Sequence, residues 1–238
     1  MNNKIRKGRN SQDKVWAHFQ NNAPEVFDPA KPRLDFIVRE INRRKGILLP
    51  HVLNIGVGSG YFEDTIQRLG WEIYSLDPDR TAITRLIEKG VNAQRGYIEQ
   101  MSFDDASFNF VIASEVLEHL SDEQTQRGIS EVARVLKPGG FFIGTVPYSE
   151  NLLKNQVVCP KCGEVFHRWG HKKSFDMKTI RDELSSHLDV LVLKRRAFES
   201  FRGESLKVKL LKLARLIIAE YGAEMALPSV YFVAKKLP

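Results

Sequence analysis

The chain has 238 residues, 42% of them hydrophobic and 27% charged, with a net charge of +7. That composition fits one globular domain with additions. No apolar run approaches the roughly 20 residues of a membrane span. The basic N-terminus (Lys4, Arg6, Lys7, Arg9) is not followed by the apolar core of a secretory signal, so a cytoplasmic location is expected. The charge is uneven. Residues 151–238 hold 17 Lys+Arg against 9 Asp+Glu, a net of +8, whereas residues 1–150 hold 19 against 20. A basic C-terminal third attracts anions, or serves as a solvated surface.

Residues 1–10 read as a basic tail. Ser11 is placed to cap a short helix carrying Val15, Trp16 and Phe19, and Pro24, Pro29 and Pro32 break the stretch after it. Leu34, Ile37, Val38 and Ile41 then recur at helical spacing, and Gly46 ends that amphipathic helix. From residue 50 strands and helices alternate. Strands are predicted at Val52–Ile55, Glu72–Leu76, Val91–Gln94, Phe108–Ala113 and Phe141–Val146. Helices are predicted at Tyr61–Leu69, Arg80–Lys89 and Glu123–Leu136, the last stopped by Pro138-Gly139-Gly140. This rhythm means crossover units and a largely parallel sheet. Residues 148–175, with both cysteines, read as an insertion. A helix (Met177–His187), a strand (Leu188–Leu193), a helix over 206–218 and a final strand (Val230–Ala234) complete the fold. Lys209, Lys212 and Arg215 cluster on one side of the 206–218 helix. It is expected to pack on the sheet with its lysines outward; the alternative is contact with a membrane surface.

The first strand runs into Gly56-Val57-Gly58-Ser59-Gly60 and then a helix, the arrangement that brings backbone close to a bound nucleotide. The third glycine of the dinucleotide fingerprint would fall on Tyr61. Asp77, at the end of the second strand, can accept both hydroxyls of a ribose, or cap the next helix.

Leu53–Gly60, Asp77, Ser107-Phe108-Asn109-Phe110-Val111, Glu115-Val116-Leu117-Glu118-His119-Leu120 and Arg134-Val135-Leu136-Lys137-Pro138-Gly139-Gly140 occur in that order. Together they resemble the class I S-adenosylmethionine-dependent methyltransferases, most closely the type 11 group, strongly over residues 50–147 and weakly outside. The resemblance implies an α/β, Rossmann-like, mostly parallel seven-stranded sheet with helices on both faces and an antiparallel C-terminal strand. One domain, 1–238, would comprise a helical segment (1–46), a cofactor core (47–147), the insertion (148–175) and a C-terminal completion (176–238). S-adenosylmethionine is the implied cofactor. Gly56, Val57, Gly58 and Gly60 would cradle its methionine part, with Asp77 and Pro78 at the ribose, Ile98 beside the adenine and Ser114 on the pocket floor. Asn54, Tyr97 and Asn109 depart from the family's usual acidic residues. Asn54 still offers an acceptor oxygen, and Tyr97 could stack on adenine.

Two metal constellations can be read. Glu115, Glu118 and His119 are expected to open a helix, where i, i+3 and i+4 share a face. With His171 they would hold a Mg²⁺- or Zn²⁺-class ion, an arrangement similar to that of small-RNA 2′-O-methyltransferases and ubiquinone-pathway O-methyltransferases. Alternatively, Cys159, Cys162, His167 and His171 would form a structural zinc knuckle, with free thiols or a redox pair as rivals. The expected reaction is O-methylation of a small-molecule, glycan or lipid-linked acceptor, with His119 as general base and Glu115 beside it. Tyr148, Asn151, Phe166, Arg168, Trp169, Lys172 and Lys173 of the insertion suit an acidic or sugar-like acceptor. An RNA-modifying enzyme whose basic third grips phosphates and a non-catalytic binding module are the alternatives.

Overall fold

The computed structural model describes residues 13–47, 49–201, 203–221 and 228–237. Ser11, the expected cap of the first helix, lies outside the described residues. Among the described residues the strands are β1 (His51–Ile55), β2 (Glu72–Asp77), β3 (Asn92–Arg95), β4 (Phe108–Ser114), β5 (Leu136–Pro147), β6 (Gln156–Val158), β7 (Val165–His167), β8 (Asp189–Arg196) and β9 (Ser229–Lys235). Helices are α1 (13–22), α2 (Lys31–Arg44), α3 (Tyr61–Arg68), α4 (Arg80–Glu88), α5 (Asp122–Val135), α6 (Met177–Ser185) and α7 (Leu206–Glu220).

Seven strands form one sheet in the order β3-β2-β1-β4-β5-β9-β8, and β6 pairs with β7 in a separate hairpin. The β3, β2, β1, β4 and β5 neighbours are parallel, and β9 runs antiparallel to both β5 and β8. The apolar run that announced β1 is the signature of a central parallel strand buried on both faces. Alternation along each strand splits the core into two layers. Leu53, Val111, Phe142 and Phe232 face one side with Ile129, Val132 and Ile180. Val52, Ile112, Ile143 and Val233 face the other with Ile37, Ile41, Phe62 and Ile66. At the centre, Gly144 sits so close to its neighbours that a Cβ would lie 2.3 Å from the Ala113 carbonyl oxygen and 2.4 Å from the Phe232 ring.

Two expectations change. β5 begins at Leu136 rather than Phe141, so Pro138-Gly139-Gly140 lies inside the strand. Leu136 already pairs with Phe108, and the ladder slips between Phe108 and Phe110, which accommodates the proline and Gly139 at φ 75°. The helix α7 is turned inside out relative to the expected packing. Lys212 and Arg215 turn toward Glu204 and Glu199 at 2.8 Å each, while Leu206, Leu210, Leu211 and Leu213 face outward. Asn109 compensates for the missing acid of β4, its side-chain oxygen accepting the His51 N–H at 3.1 Å.

Beneath the β1–α3 loop lies a buried polar cluster. Glu63 accepts the Asn54 amide at 2.7 Å and the Ser75 hydroxyl at 2.9 Å. Burial pushes the Glu63 carboxyl up to about 7, against the two hydrogen bonds that favour its ionised form. A carboxyl raised in the fold binds its proton more tightly folded than unfolded. Its contribution to stability is therefore full below about 4.5 and lost as pH rises through about 7.

Two outcomes follow for stability. Gly144→Ala should lower the unfolding free energy by about 3 kcal/mol, read from denaturant melts. Between pH 5 and pH 8 the wild type should lose on the order of 3 kcal/mol more than Glu63→Gln, which keeps an acceptor but cannot ionise. Parallel thermal melts at the two pH values measure that difference, and equal slopes would remove Glu63 as the cause.

Candidate functional site

The loop after β1 is built by backbone that only glycine adopts freely: Gly56, Gly58 and Gly60 have φ of 81°, 52° and 85°. The Gly56 N–H donates to the Leu76 carbonyl at 2.9 Å and the Val57 N–H to the Asp77 carboxylate at 3.0 Å, tying the loop to β2. A Cβ on Gly56 would meet Val116 at 2.9 Å and one on Gly58 would meet Phe27 at 3.1 Å. The loop walls a cavity of about 640 Å³ at the carboxyl ends of β1, β2 and β4, a usual size and place for a small-molecule site.

The expected cofactor residues converge on it. Asn54, Gly56, Val57, Gly58, Asp77, Pro78, Tyr97, Ile98 and Ser114 all line the cavity. Gly60 instead starts α3 in the left-handed conformation. Asp77 is 4% exposed; it accepts Val57 N–H, the Gln20 amide at 3.1 Å and Asp79 N–H at 2.8 Å. Burial raises its carboxyl, and those donors oppose the rise. Asn54 gives its amide to Glu63 and the Gly56 carbonyl, so it braces the loop from below. The Tyr97 hydroxyl donates to Asp13 at 2.9 Å. Ser114 accepts from Arg33 at 2.8 Å, and Arg33 also faces Glu115 at 3.9 Å.

The α1 helix is a cover that the sequence reading did not place. Trp16 and Gln20 line the cavity with Trp169 of the insertion. Trp16 packs against Phe27 (5.9 Å), His119 (5.2 Å) and Trp169 (6.4 Å between ring centroids). Gln20 reaches Asp77, Asn21 reaches Asp79 at 3.2 Å, and Arg85 holds the Gln20 carbonyl at 2.9 Å. The apolar spacing of Trp16 and Phe19 signalled a buried face, but nothing local says over what.

Beside the glycine loop, the segment after β4 is not the helix that was expected. Glu115 is left-handed (φ 57°), Leu117–His119 form a single 3₁₀ turn, and α5 starts only at Asp122, behind a Ser121–Gln124 capping box. The turn still brings Glu118 and His119 together with His171, their ligand-capable atoms lying within 4.8 Å of one another. Glu115 stands outside that group, beside Arg33. Glu118 is 1% exposed and both its carboxylate oxygens lack hydrogen-bond partners among the described residues. Burial and the charge of Glu115 hold its carboxyl well above the usual range. Burial, reinforced by His171, pushes His119 down to about 3, so its ring is neutral near pH 7.

The hydrogen bonds assign the tautomers. His119 Nδ1–H donates to the Gly170 carbonyl at 3.4 Å, and His171 Nδ1–H donates to Glu150. The neutral His119 ring therefore keeps its lone pair on Nε2, and the Glu150 bond occupies Nδ1 of His171. His167 Nδ1 accepts the backbone N–H of Trp169 (3.3 Å) and His171 (3.1 Å), which puts its proton on Nε2, 3.3 Å from Glu150.

The Cys159–Cys162–His167–His171 set is not assembled. The cysteines occupy the hairpin turn beyond Val158, whereas His167 pairs with Gln156 at the hairpin's base. Two strand residues separate the levels of Val165 and His167, about 7 Å, and among the described residues neither metal-capable group includes a cysteine. The turn does hold its backbone bonds, Cys159 N–H to Glu164 and Gly163 N–H to Cys159, and backbone donors lower the Cys159 thiol.

A second, more open groove of about 1460 Å³ shares Arg33 and Glu115 with the first cavity and continues past Tyr148, Asn151, Lys154, Lys212 and Arg215. Of the insertion residues expected at an acceptor, Tyr148 and Asn151 line this groove, and Trp169 and Lys172 line the first cavity. Lys173 is instead paired with Asp122 and Glu183.

A methyltransferase-domain family model matches residues 53–144. A probable S-adenosylmethionine-dependent methyltransferase of Mycolicibacterium smegmatis is 33% identical over 98 residues, 40% of this chain and 37% of the relative; the chain thus spans little more than a third of that protein. A ubiquinone biosynthesis O-methyltransferase of a Caulobacter species is 30% identical over 182 residues, 68% of this chain and 69% of the relative. Among solved structures, the 1,6-didemethyltoxoflavin-N1-methyltransferase of Burkholderia thailandensis, bound to S-adenosylhomocysteine, superposes with a TM-score of 0.64 at 14% identity, over 95% of this chain and 87% of that one. The strand order, the glycine loop facing a carboxylate at the end of β2, and an alignment over two thirds of a full relative agree, and the chain belongs to the class I S-adenosylmethionine-dependent methyltransferases.

Proposed function

We propose that the chain transfers a methyl group from S-adenosylmethionine to a hydroxyl oxygen of a small-molecule or glycan-type acceptor, with a divalent cation held by Glu118, His119 and His171. The observation that carries this reading is Glu118: a fully buried carboxylate with both oxygens unpartnered among the described residues, grouped with the His119 and His171 rings beside the cofactor cavity. A buried carboxylate normally has donors around it. A carboxylate and two imidazoles grouped this closely form a ligand set for Mg²⁺- or Zn²⁺-class ions.

The cofactor would supply an electrophilic methyl on its sulfonium sulfur. This chain's own residues bind and orient it: the left-handed glycines let the backbone approach, Asp77 offers acceptor oxygens, and Trp16 and Trp169 exclude water. A hydroxyl is a weak nucleophile until its proton is withdrawn, and a divalent ion supplies the Lewis acidity that favours the withdrawal. His119 is a weak proton acceptor at neutral pH, because burial holds its imidazolium near 3; the ring fits a ligand role better than the general-base role first expected. The Caulobacter relative is an O-methyltransferase by name, which supports the choice of oxygen.

Elemental analysis and calorimetry of the purified chain test the ion. One Mg²⁺, Mn²⁺ or Zn²⁺ per chain is expected, with affinity falling about tenfold or more in Glu118→Gln and unchanged in Cys159→Ala. An ion retained in Glu118→Gln and lost in Cys159→Ala would overturn the assignment. For the cofactor, Asp77→Asn should weaken S-adenosylhomocysteine binding about tenfold or more and lower the melting temperature by several degrees, because a buried charged acceptor is replaced by a group that turns a donor toward Val57 or Asp79. Equal affinity in calorimetry would remove Asp77 from the binding site.

A further inference from the structure

The helix α7 presents its apolar side to the outside. Leu206, Leu210, Leu213 and Ile217 are 74%, 58%, 49% and 54% exposed. They recur at steps of four, three and four, within about 60° of the helix circumference. Leu211, Ile218 and Tyr221, at 63%, 39% and 81% exposure, widen the apolar arc to about 160°. The inward side holds Ala219, Leu216 and the two cations already paired with Glu204 and Glu199. Monomeric proteins rarely leave so continuous an apolar face on a helix without using it. The helix has 15 residues, about 22 Å, and no helix is long and apolar enough to cross a membrane among the described residues.

We propose that α7 docks flat on the surface of an anionic lipid bilayer. Charge selects this occupant. Lys207, within the apolar arc, and Lys209, near its edge, are exposed in the first turn, where their long stems let the ammonium groups reach headgroup phosphates, while Glu220 in the last turn is an exposed acidic group at the same edge. The C-terminal third that carries the helix has the net charge of +8 noted above, which attracts an acidic membrane surface. A second copy packed antiparallel would set these lysines against the partner's last turn, but an arc of about 160° is wider than the narrow seam of a two-helix contact. The N-terminal residues 1–12 offer only Met1 and Ile5 as apolar side chains, too few to cover the face. The inward edge of the same helix, Lys212 and Arg215, lines the groove that reaches Glu115. Docking would therefore hold that groove about one helix diameter, ~10 Å, from the headgroups.

Sedimentation of the full chain with vesicles tests this. Binding to phosphatidylcholine vesicles containing phosphatidylglycerol is expected at low salt, weaker with phosphatidylcholine alone and weaker as salt rises. Leu213→Glu with Ile217→Glu should reduce binding about tenfold or more, and so should Lys207→Glu with Lys209→Glu, which leaves the leucines in place. Both variants are at exposed positions, and unchanged melting and S-adenosylhomocysteine binding will show that they fold. The proposal is overturned if the wild type stays in the supernatant with anionic vesicles. It is equally overturned if both variants bind as the wild type does, or if light scattering shows a dimer that Leu213→Glu with Ile217→Glu converts to monomer, which would assign the face to a second copy. None of these outcomes bears on methyl transfer, because the cofactor cavity is untouched.

Discussion

One carboxylate ties the cofactor end of the molecule together. Asp77 receives Val57 from the glycine loop, Asp79 from the start of α4 and Gln20 from α1. Three segments far apart in sequence thus meet on a single buried group, whose burial would otherwise favour the protonated form. A carboxylate has about four lone-pair positions, and three are taken. While Gln20 is in place, one remains for an outside donor. A ligand with two vicinal hydroxyls and the α1 cover therefore compete for the same oxygens, and the Gln20 bond is the contact that yields at least cost, since an amide reaching from a partly exposed helix is exchanged for a hydroxyl.

Aromatic rings join the two covers of the cavity. Trp16 and Phe19 of α1 meet Trp169 of the insertion at 6.4 Å and 5.7 Å. Such contacts are worth about 1 kcal/mol each beyond the area they bury, whereas each cover is fixed to the body by hydrogen bonds, α1 through Gln20 and Asn21 and the insertion through Lys172 and Lys173. The glycine loop and β4 beneath them sit in the fully packed sheet.

Much of this was legible in the chain. The apolar runs, the glycine loop and Asp77 announced the parallel sheet and its binding edge, because a buried central strand and a close backbone approach leave few residue choices. Contacts that depend on distant partners were not. The spacing of Glu115, Glu118 and His119 fits a helix, but a left-handed Glu115 and one 3₁₀ turn also bring the last two together and leave Glu115 out. The Cys and His positions matched zinc-ligand spacing, yet hairpin register separates them. Periodicity told which residues of α7 share a face and not which face turns inward. That was decided by Glu199 and Glu204, which draw Arg215 and Lys212 toward the body of the protein. Glu63 gave no signal at all, since a glutamate in the first turn of a helix is ordinary.

The insertion does more than overhang the cavity. Its backbone is bonded to the turn after β4: the Lys172 and Lys173 N–H groups donate to the Glu118 carbonyl at 2.8 Å and 3.3 Å, and the Gly170 carbonyl receives His119. Within the insertion, Glu150 binds His171 and faces His167, and its carboxyl stays below the usual range: burial would raise it, but the bond and charge of His171, the Asn155 amide and the charge of His167 together more than offset that. His167 in turn takes two backbone N–H groups of the same loop. Each side chain around Glu118 is thus fixed by a bond made on its far side, independent of anything bound in the cavity. Such outer bonds set ring orientation and tautomer before a ligand arrives, so little ordering is left for the moment of binding. A loop that looked like an acceptor-selecting addition is, by these bonds, the structural support of the group that faces the cofactor cavity.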